Sequence, residues 1–147
     1  MSSISKYSSI VYRMSQTFFD DYLAPYHIGC GQQFFLREIY QMPGISQYEL
    51  AEIGHFDKGT TARAVKKLED LGYITRVSDE KDRRLTRLYV SESGAAIIGV
   101  IQEMLQEWYA VLGEGLSDEE ERIADELMER IAHNAIHHVL HKQKEGR

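Results

Sequence analysis

The sequence predicts a mainly α fold with one small two-stranded β hairpin, on three observations. Apolar residues recur at three- and four-residue steps over most of the chain. Two short central stretches are β-branched or aromatic instead, and glycines, prolines and capping residues separate the segments. The 147 residues suit a single fold over 1–147, long enough to bury a core. An apolar content of 43% with only 2 prolines excludes disorder as the main state. Cys30 has no internal partner, which excludes a disulfide scaffold. The longest apolar stretch, Ala95 to Ile101, is too short to cross a bilayer, and the N-terminus lacks a signal-peptide pattern. The expectation is a soluble, cytoplasmic protein without membrane contact.

Taken in order, Ile4, Tyr7, Val11, Met14, Phe18 and Tyr22 form one stripe on a helix over 4–23, interrupted by Pro25, Gly29 and Gly31. Phe34, Phe35, Leu36, Ile39 and Tyr40 predict a buried helix over 32–41, stopped at Met42-Pro43-Gly44. Ser46 and Glu49 make a capping box for a short helix, which Gly54 ends in the left-handed conformation. Asp57 caps the next helix, which reaches Leu71 and is closed by Gly72. Two short helices across a turn are a helix-turn-helix pattern. Strands at 73–77 and 85–90 flank a charged tip, Ser78 to Arg84, and must lean on the preceding helices for stability. Ile97, Ile101, Met104, Leu105, Trp108, Val111 and Leu112 then line a long helix ended by Gly113 and Gly115. Ser117 to Glu120 is a second capping box, opening a last helix striped by Ile123, Leu127, Ile131, Ala135 and Val139.

The net charge of −6 argues against a polyanionic partner until its distribution is read. Between Asp57 and Val90 nine basic residues face six acidic ones, a balance of +3 that leaves −9 on the rest. On the helix after Asp57, a wheel turns Ala62, Val65, Leu68 and Gly72 to the core and Thr60, Arg63, Lys66 and Lys67 outward, with Gly59 and Ala64 beside them. Long donors next to small residues are what base readout in a major groove requires, and a plain solvated face would look the same. The hairpin separates the two readings. A helix-turn-helix followed at once by a hairpin with Lys81, Arg83 and Arg84 at its tip is a winged helix-turn-helix, and such a tip reaches a narrow minor groove. Asp82 is expected to hold a neighbouring arginine extended through a charge-assisted hydrogen bond.

Asp57 through Arg76 (DKGTTARAVKKLEDLGYITR), then Asp82-Arg83-Arg84 and Val90 through Gly94 (VSESG), resemble the MarR (multiple antibiotic resistance regulator) family over essentially the whole chain. The resemblance implies a transcription regulator, usually a repressor, that works as a homodimer on double-stranded DNA. Asp82 matches the acid that orders the wing and Arg84 the arginine that enters the minor groove. Lys58, Thr60, Thr61, Arg63 and Lys67 match recognition-helix positions, and Arg76 matches a wing-base arginine that is structural or faces phosphate. Gly59 stands where the family often has Ser. The expected organisation is a DNA-binding lobe over 32–90 between dimerisation helices at 1–29 and 92–147. The stripes from Ile4 to Tyr22 and from Ile123 to Val139 exceed what the winged module needs, which also points to a dimer. Two-fold symmetry then predicts a pseudo-palindromic operator with half-sites roughly 10 base pairs apart.

Family members commonly respond to small aromatic or phenolic acids. Tyr12, Tyr22, Tyr26, Phe35, Tyr40 and Trp108 are the candidates to line such a pocket, with Arg13 to pair a carboxylate; core and dimer packing would use the same residues. Cys30, near a helix start whose dipole lowers a thiol pKa and beside Tyr26 and His27, is the redox candidate, although a lone cysteine is more often inert and buried. His133, His137 and His141, with His138 adjacent, repeat at the spacing that chelates zinc or nickel, although without further ligands in the pattern a polar helix end is the favoured reading. No phosphate loop, nucleophile elbow or His-Glu-x-x-His motif is present, so neither an enzyme nor a cofactor is expected. The competing function is a winged-helix protein-interaction module, which would not require a basic outward face.

Overall fold

The computed structural model describes residues 3–146. Helix α1 (Ile4–Leu23) runs as its stripe predicts and hands over to a 3₁₀ turn at Ala24–Tyr26. Helix α2 (Cys30–Gln41) begins two residues before the expected Gln32, because side chains satisfy the backbone donors there. The Gly29 N–H donates to Gln32 Oε1 at 2.9 Å and the Cys30 N–H to Asp20 Oδ1 at 2.8 Å. Phe35, Leu36 and Ile39 of α2 are fully buried, as expected of a helix so apolar.

Strand β1 (Ile45–Ser46) leads into α3 (Gln47–Gly54), and the Ser46/Glu49 capping box closes in both directions at 3.1 Å. It is His55, at φ 54°, that takes the left-handed position after α3, not Gly54. Glycine is required at 54 for space: an added Cβ would lie 2.4 Å from the Phe56 ring. Helix α4 (Lys58–Asp70) follows its Asp57 cap, and Gly72 at φ +79° turns the chain into the sheet.

Strands β2 (Ile74–Ser78) and β3 (Thr86–Val90) pair antiparallel from Ile74 opposite Val90 to Ser78 opposite Thr86. The sheet has three strands rather than two, because β1 pairs with the other edge of β3, in the order β1-β3-β2. A strand of two residues is too short to leave a periodic signal. Helix α5 (Glu92–Leu112) is capped by Ser91, whose hydroxyl accepts from the Gly94 N–H at 3.1 Å. An added Cβ on Gly94 would stand 2.1 Å from the Tyr73 carbonyl oxygen, so only glycine lets α5 start this close to the sheet.

The chain divides into two compact units, Met1–Trp108 and Tyr109–Arg147. In the first, Leu36, Ile39, Leu50, Val65, Leu68, Leu88 and Ile101 are wholly removed from solvent in one core with Ile97, Met104 and Leu105. The second holds the end of α5, the turn through Gly115, and α6 (Asp118–Glu145), which has no buried residue. Ser117 caps α6 by accepting from the Glu120 N–H at 3.2 Å, but the capping box closes differently from expectation: Glu120 accepts from the Ser117 hydroxyl. Among the described residues, no helix is long and apolar enough to cross a membrane.

Candidate nucleic-acid interface

The candidate surface is built from α4 outward. The Thr60 N–H donates to Asp57 Oδ1 at 2.6 Å and the Thr60 hydroxyl to Asp57 Oδ2 at 2.9 Å. These two donors, with a smaller contribution from the Arg63 charge, hold the Asp57 carboxyl below the usual carboxylate range. Core packing fixes the rotation of the helix. Thr61, Ala64, Val65 and Leu68 are buried at i, i+3, i+4 and i+7, which leaves Lys58, Gly59, Arg63, Lys66 and Lys67 on the exposed arc with Thr60 half-buried at its edge.

This rotation corrects the wheel at Ala62, at Ala64 and at Gly72, which is exposed beyond the end of the helix, and it corrects the family match at Thr61. Thr61 is 0% exposed and donates its hydroxyl to the Asp57 carbonyl at 3.0 Å, so it is a core and capping residue unable to reach DNA. Ala64 joins it in the core, whereas Ala62 lies at the margin. Arg63 folds back over the N-terminus of α4, with Nη2 3.3 Å from Thr60 Oγ1. A Cβ on Gly59 would meet Arg63 Nη1 at 3.1 Å, so the glycine leaves room for this guanidinium. Lys66 pairs with Asp70 at 3.3 Å, both side chains well exposed, a contact that is weak and readily exchanged.

The wing tip is ordered through backbone hydrogen bonds. Asp82 Oδ1 accepts from the Arg84 N–H at 3.0 Å; the Arg84 guanidinium is not its partner, contrary to the expected side-chain clamp. Its neighbour Asp79 does more, accepting from the N–H groups of Lys81 at 2.8 Å and Asp82 at 3.0 Å. Lys81, Arg83 and Arg84 are all exposed at this tip. Arg76 is exposed on β2 and engaged by neighbours within the chain: Nε lies 2.8 Å from Glu69 and Nη1 3.3 Å from Gln47. Of the two roles considered for it, the contacts are structural, tying β2 to α4 and α3. Asp79 and Arg87 were not singled out in the sequence, yet the Asx-turn spacing from Asp79 to Lys81 and Asp82 is a readable signal for the former.

The candidate effector residues make the following contacts within the fold. The Trp108 ring stacks on Phe18 with centroids 4.8 Å apart, and its indole N–H donates to Ser15 at 2.8 Å. Tyr12 is 64% exposed and accepts from Gln16, Arg13 donates to Ser9, and Tyr40 is exposed at the end of α2. Tyr22 donates to Glu107, and Phe35 is a core residue. The Tyr26 carbonyl receives the Tyr73 hydroxyl. A cleft of about 520 Å³ lies elsewhere, walled by Met42, Pro43, Ile45, Tyr48, Glu52 and Arg87 among others.

Cys30 stands at the first position of α2. Burial first, and then the Asp20 carboxylate, push its thiol above the ordinary value. The histidines do not assemble a metal centre: among the described residues no group of three or more ligating side chains is placed to hold an ion. The His137 and His141 rings lie 5.2 Å apart, and His141 approaches Glu145 at 3.6 Å. His133 is eight residues from His141, roughly 12 Å along a helix, too far to share their ion.

The MarR family model matches residues 31–86. The uncharacterized HTH-type transcriptional regulator YybA of Bacillus subtilis is 34% identical over 104 residues, covering 71% of this chain and 69% of the relative. The HTH-type transcriptional regulator BilQ of Clostridium symbiosum is 30% identical over 116 residues, covering 79% and 81%. Among solved structures, a MarR transcriptional regulator from Methanosarcina mazei Go1 superposes with a TM-score of 0.84 at 37% identity, covering 90% of this chain and 96% of that one. A MarR family regulator from Listeria monocytogenes, complexed with 26mer DNA, reaches 0.89 over 98% and 96%; at 22% identity that likeness is one of fold.

Proposed function

The chain belongs to the MarR family of transcriptional regulators, and from that premise we propose that it is a cytoplasmic repressor. It binds a pseudo-palindromic duplex operator as a homodimer and is released by a small aromatic or phenolic ligand. In this reading residues 32–90 form the DNA-binding lobe, and 1–29 and 92–147 the dimerisation helices.

One observation carries the DNA-binding part: an exposed cationic arc on α4 and a cationic tip on the adjoining wing, in a chain whose net charge is −6. Lys58, Thr60, Arg63, Lys66 and Lys67 would enter the major groove or meet its phosphates. Lys81, Arg83 and Arg84 would reach the minor groove beside it, where Arg is favoured. Asp82 serves by fixing the Arg84 backbone. The 26mer DNA bound to a regulator of the same fold supports the assignment.

The dimer rests on apolar surface that the chain leaves to solvent. Tyr7, Val11 and Met14 of α1 and Ile123, Leu127 and Val139 of α6 are each more than 40% exposed, a stripe on each helix for a second copy to cover. Repression and ligand release rest on the family likeness.

The test is an anisotropy titration of duplex DNA from upstream of the protein's own gene, against a scrambled duplex, at several salt concentrations. Preferential binding that weakens steeply with salt is expected. Weak, salt-insensitive binding, equal for both duplexes, would discard the operator-binding reading in favour of a protein-interaction module.

A further inference from the structure

We propose that Asp79 and Arg87 form a strut that holds the wing tip in the pose used on DNA, which makes both of them positioning residues for Arg84. The inference rests on the DNA-binding reading above and deepens it. One carboxylate gathers the whole tip: Asp79 Oδ1 accepts the N–H groups of Lys81 and Asp82, while Oδ2 accepts Arg87 Nε at 2.8 Å. Arg87 continues the connection, donating through Nη1 to the Gly44 carbonyl at 3.0 Å. The Gly44 N–H in turn donates to the Leu88 carbonyl at 2.8 Å. One end of the strut is therefore the loop that carries Lys81, Arg83 and Arg84, and the other is the turn just before α3.

Two features separate this pair from an ordinary surface ion pair. The Asp79 side chain is only 17% exposed, and its three accepted hydrogen bonds come from two backbone donors and a guanidinium at once. The same donors, Arg87 foremost, hold its carboxyl below the usual range. The strut is also separable from the sheet. The five residue pairs joining β2 to β3, and the Asp79 N–H that donates to the Leu85 carbonyl at 2.9 Å, need neither side chain. Cutting the strut should loosen the tip and leave the fold in place.

The experiment uses the full chain and two readouts, one without DNA. Trypsin cuts after Lys81, Arg83 and Arg84, so its rate at the tip reports the tip's order directly. Asp79→Asn keeps an oxygen for the two backbone donors but puts an amide where Arg87 needs an acceptor; Arg87→Gln removes the other half. Both variants should melt close to the wild-type temperature, be cut at the tip about tenfold faster, and bind an operator duplex about five- to tenfold more weakly. Arg87→Lys, which retains the charge, should recover part of both effects. In the Arg84→Ala background Asp79→Asn should weaken binding by clearly less than it does alone, since the two share the Arg84 contact.

Unchanged cleavage in both strut variants would overturn the proposal, and so would fully additive losses in the double variant. An Arg84→Ala protein that binds DNA like the wild type would instead overturn the wing's role, and with it the positioning role of the strut. Faster cleavage in that case would identify the DNA-binding reading, not the strut geometry, as the part that failed.

Discussion

The two units of the chain are both helical, yet they are held by different physics. Met1–Trp108 closes a core in which Phe35, Leu36, Leu68, Leu88 and Ile101 are excluded from water. In Tyr109–Arg147, α6 is 28 residues long and buries none of them. Local devices support α6 instead: the Ser117 cap, four acids in its first turn, Lys142 and Lys144 in its last, and Arg122 bridging Glu119 and Glu126. Local pairs sustain a long helix only weakly, since most helical stability in proteins comes from packing an apolar face. The apolar stripe of α6 is therefore the surface on which the proposed dimer most depends.

The sharpest way to break this comparison is to delete the same side chain on each side of it. Leu68→Ala empties a fully buried site on α4 and should cost about 2–5 kcal/mol of unfolding free energy, read as a lowered denaturant midpoint at unchanged slope. Leu127→Asp, on a residue 47% exposed, should leave the helical spectrum of the chain intact while shifting its sedimentation from dimer towards monomer. A Leu127→Asp protein with wild-type sedimentation would remove α6 from the proposed dimer interface.

A smaller effect divides the cationic surface into readers and anchors. Arg84→Ala should weaken operator binding by roughly 1–3 kcal/mol and relax preference for the base step beneath the wing. Lys67→Ala should weaken all duplexes alike and reduce the slope of log affinity against log salt by roughly one. If the Lys67 variant lost sequence preference instead, that residue would be reading bases.

Legibility in the sequence followed the same division. Elements with a periodic stripe and a capping residue stood out, and the helix-turn-helix and hairpin lie where the pattern puts them. What escaped was whatever depends on distant partners. Nothing in Ile45-Ser46 announces a strand, because the pairing is supplied by Leu88 and Arg87 more than forty residues on. Thr61 was a contact only by its match to a recognition-helix position, whereas the Asp57 carbonyl satisfies its hydroxyl inside the core. Gly54 and Gly94 were read as turn and motif residues, and the structure shows them making room for Phe56 and for the Tyr73 carbonyl. Among charged residues, sequence located the tip cations on an exposed loop but not the acid that gathers them, because Asp79 adds the Arg87 guanidinium, a partner eight residues on, to two local N–H donors, whereas Asp82 accepts one N–H.

The smallest expected effect concerns Cys30, where local and tertiary influences compete directly. A thiol at a helix start should ionise easily, since the dipole favours its anion. Burial opposes this first, and Asp20 adds to it by coming from α1 to accept the Cys30 N–H at 2.8 Å, an approach that Gly29 permits because a Cβ there would stand 2.3 Å from the same carboxylate oxygen. With burial and a carboxylate both disfavouring the thiolate, the folded protein holds less of it at any pH below its raised pKa than the unfolded chain does. Iodoacetamide should therefore label Cys30 a few-fold more slowly in the native protein than in denaturant, with the rate rising only at higher pH. Asp20→Asn removes the charge while keeping an acceptor, and should move the pH–rate profile back towards that of a free thiol. Native labelling faster than denatured labelling would restore Cys30 as a reactive thiolate and give the first unit a chemistry its packing argues against.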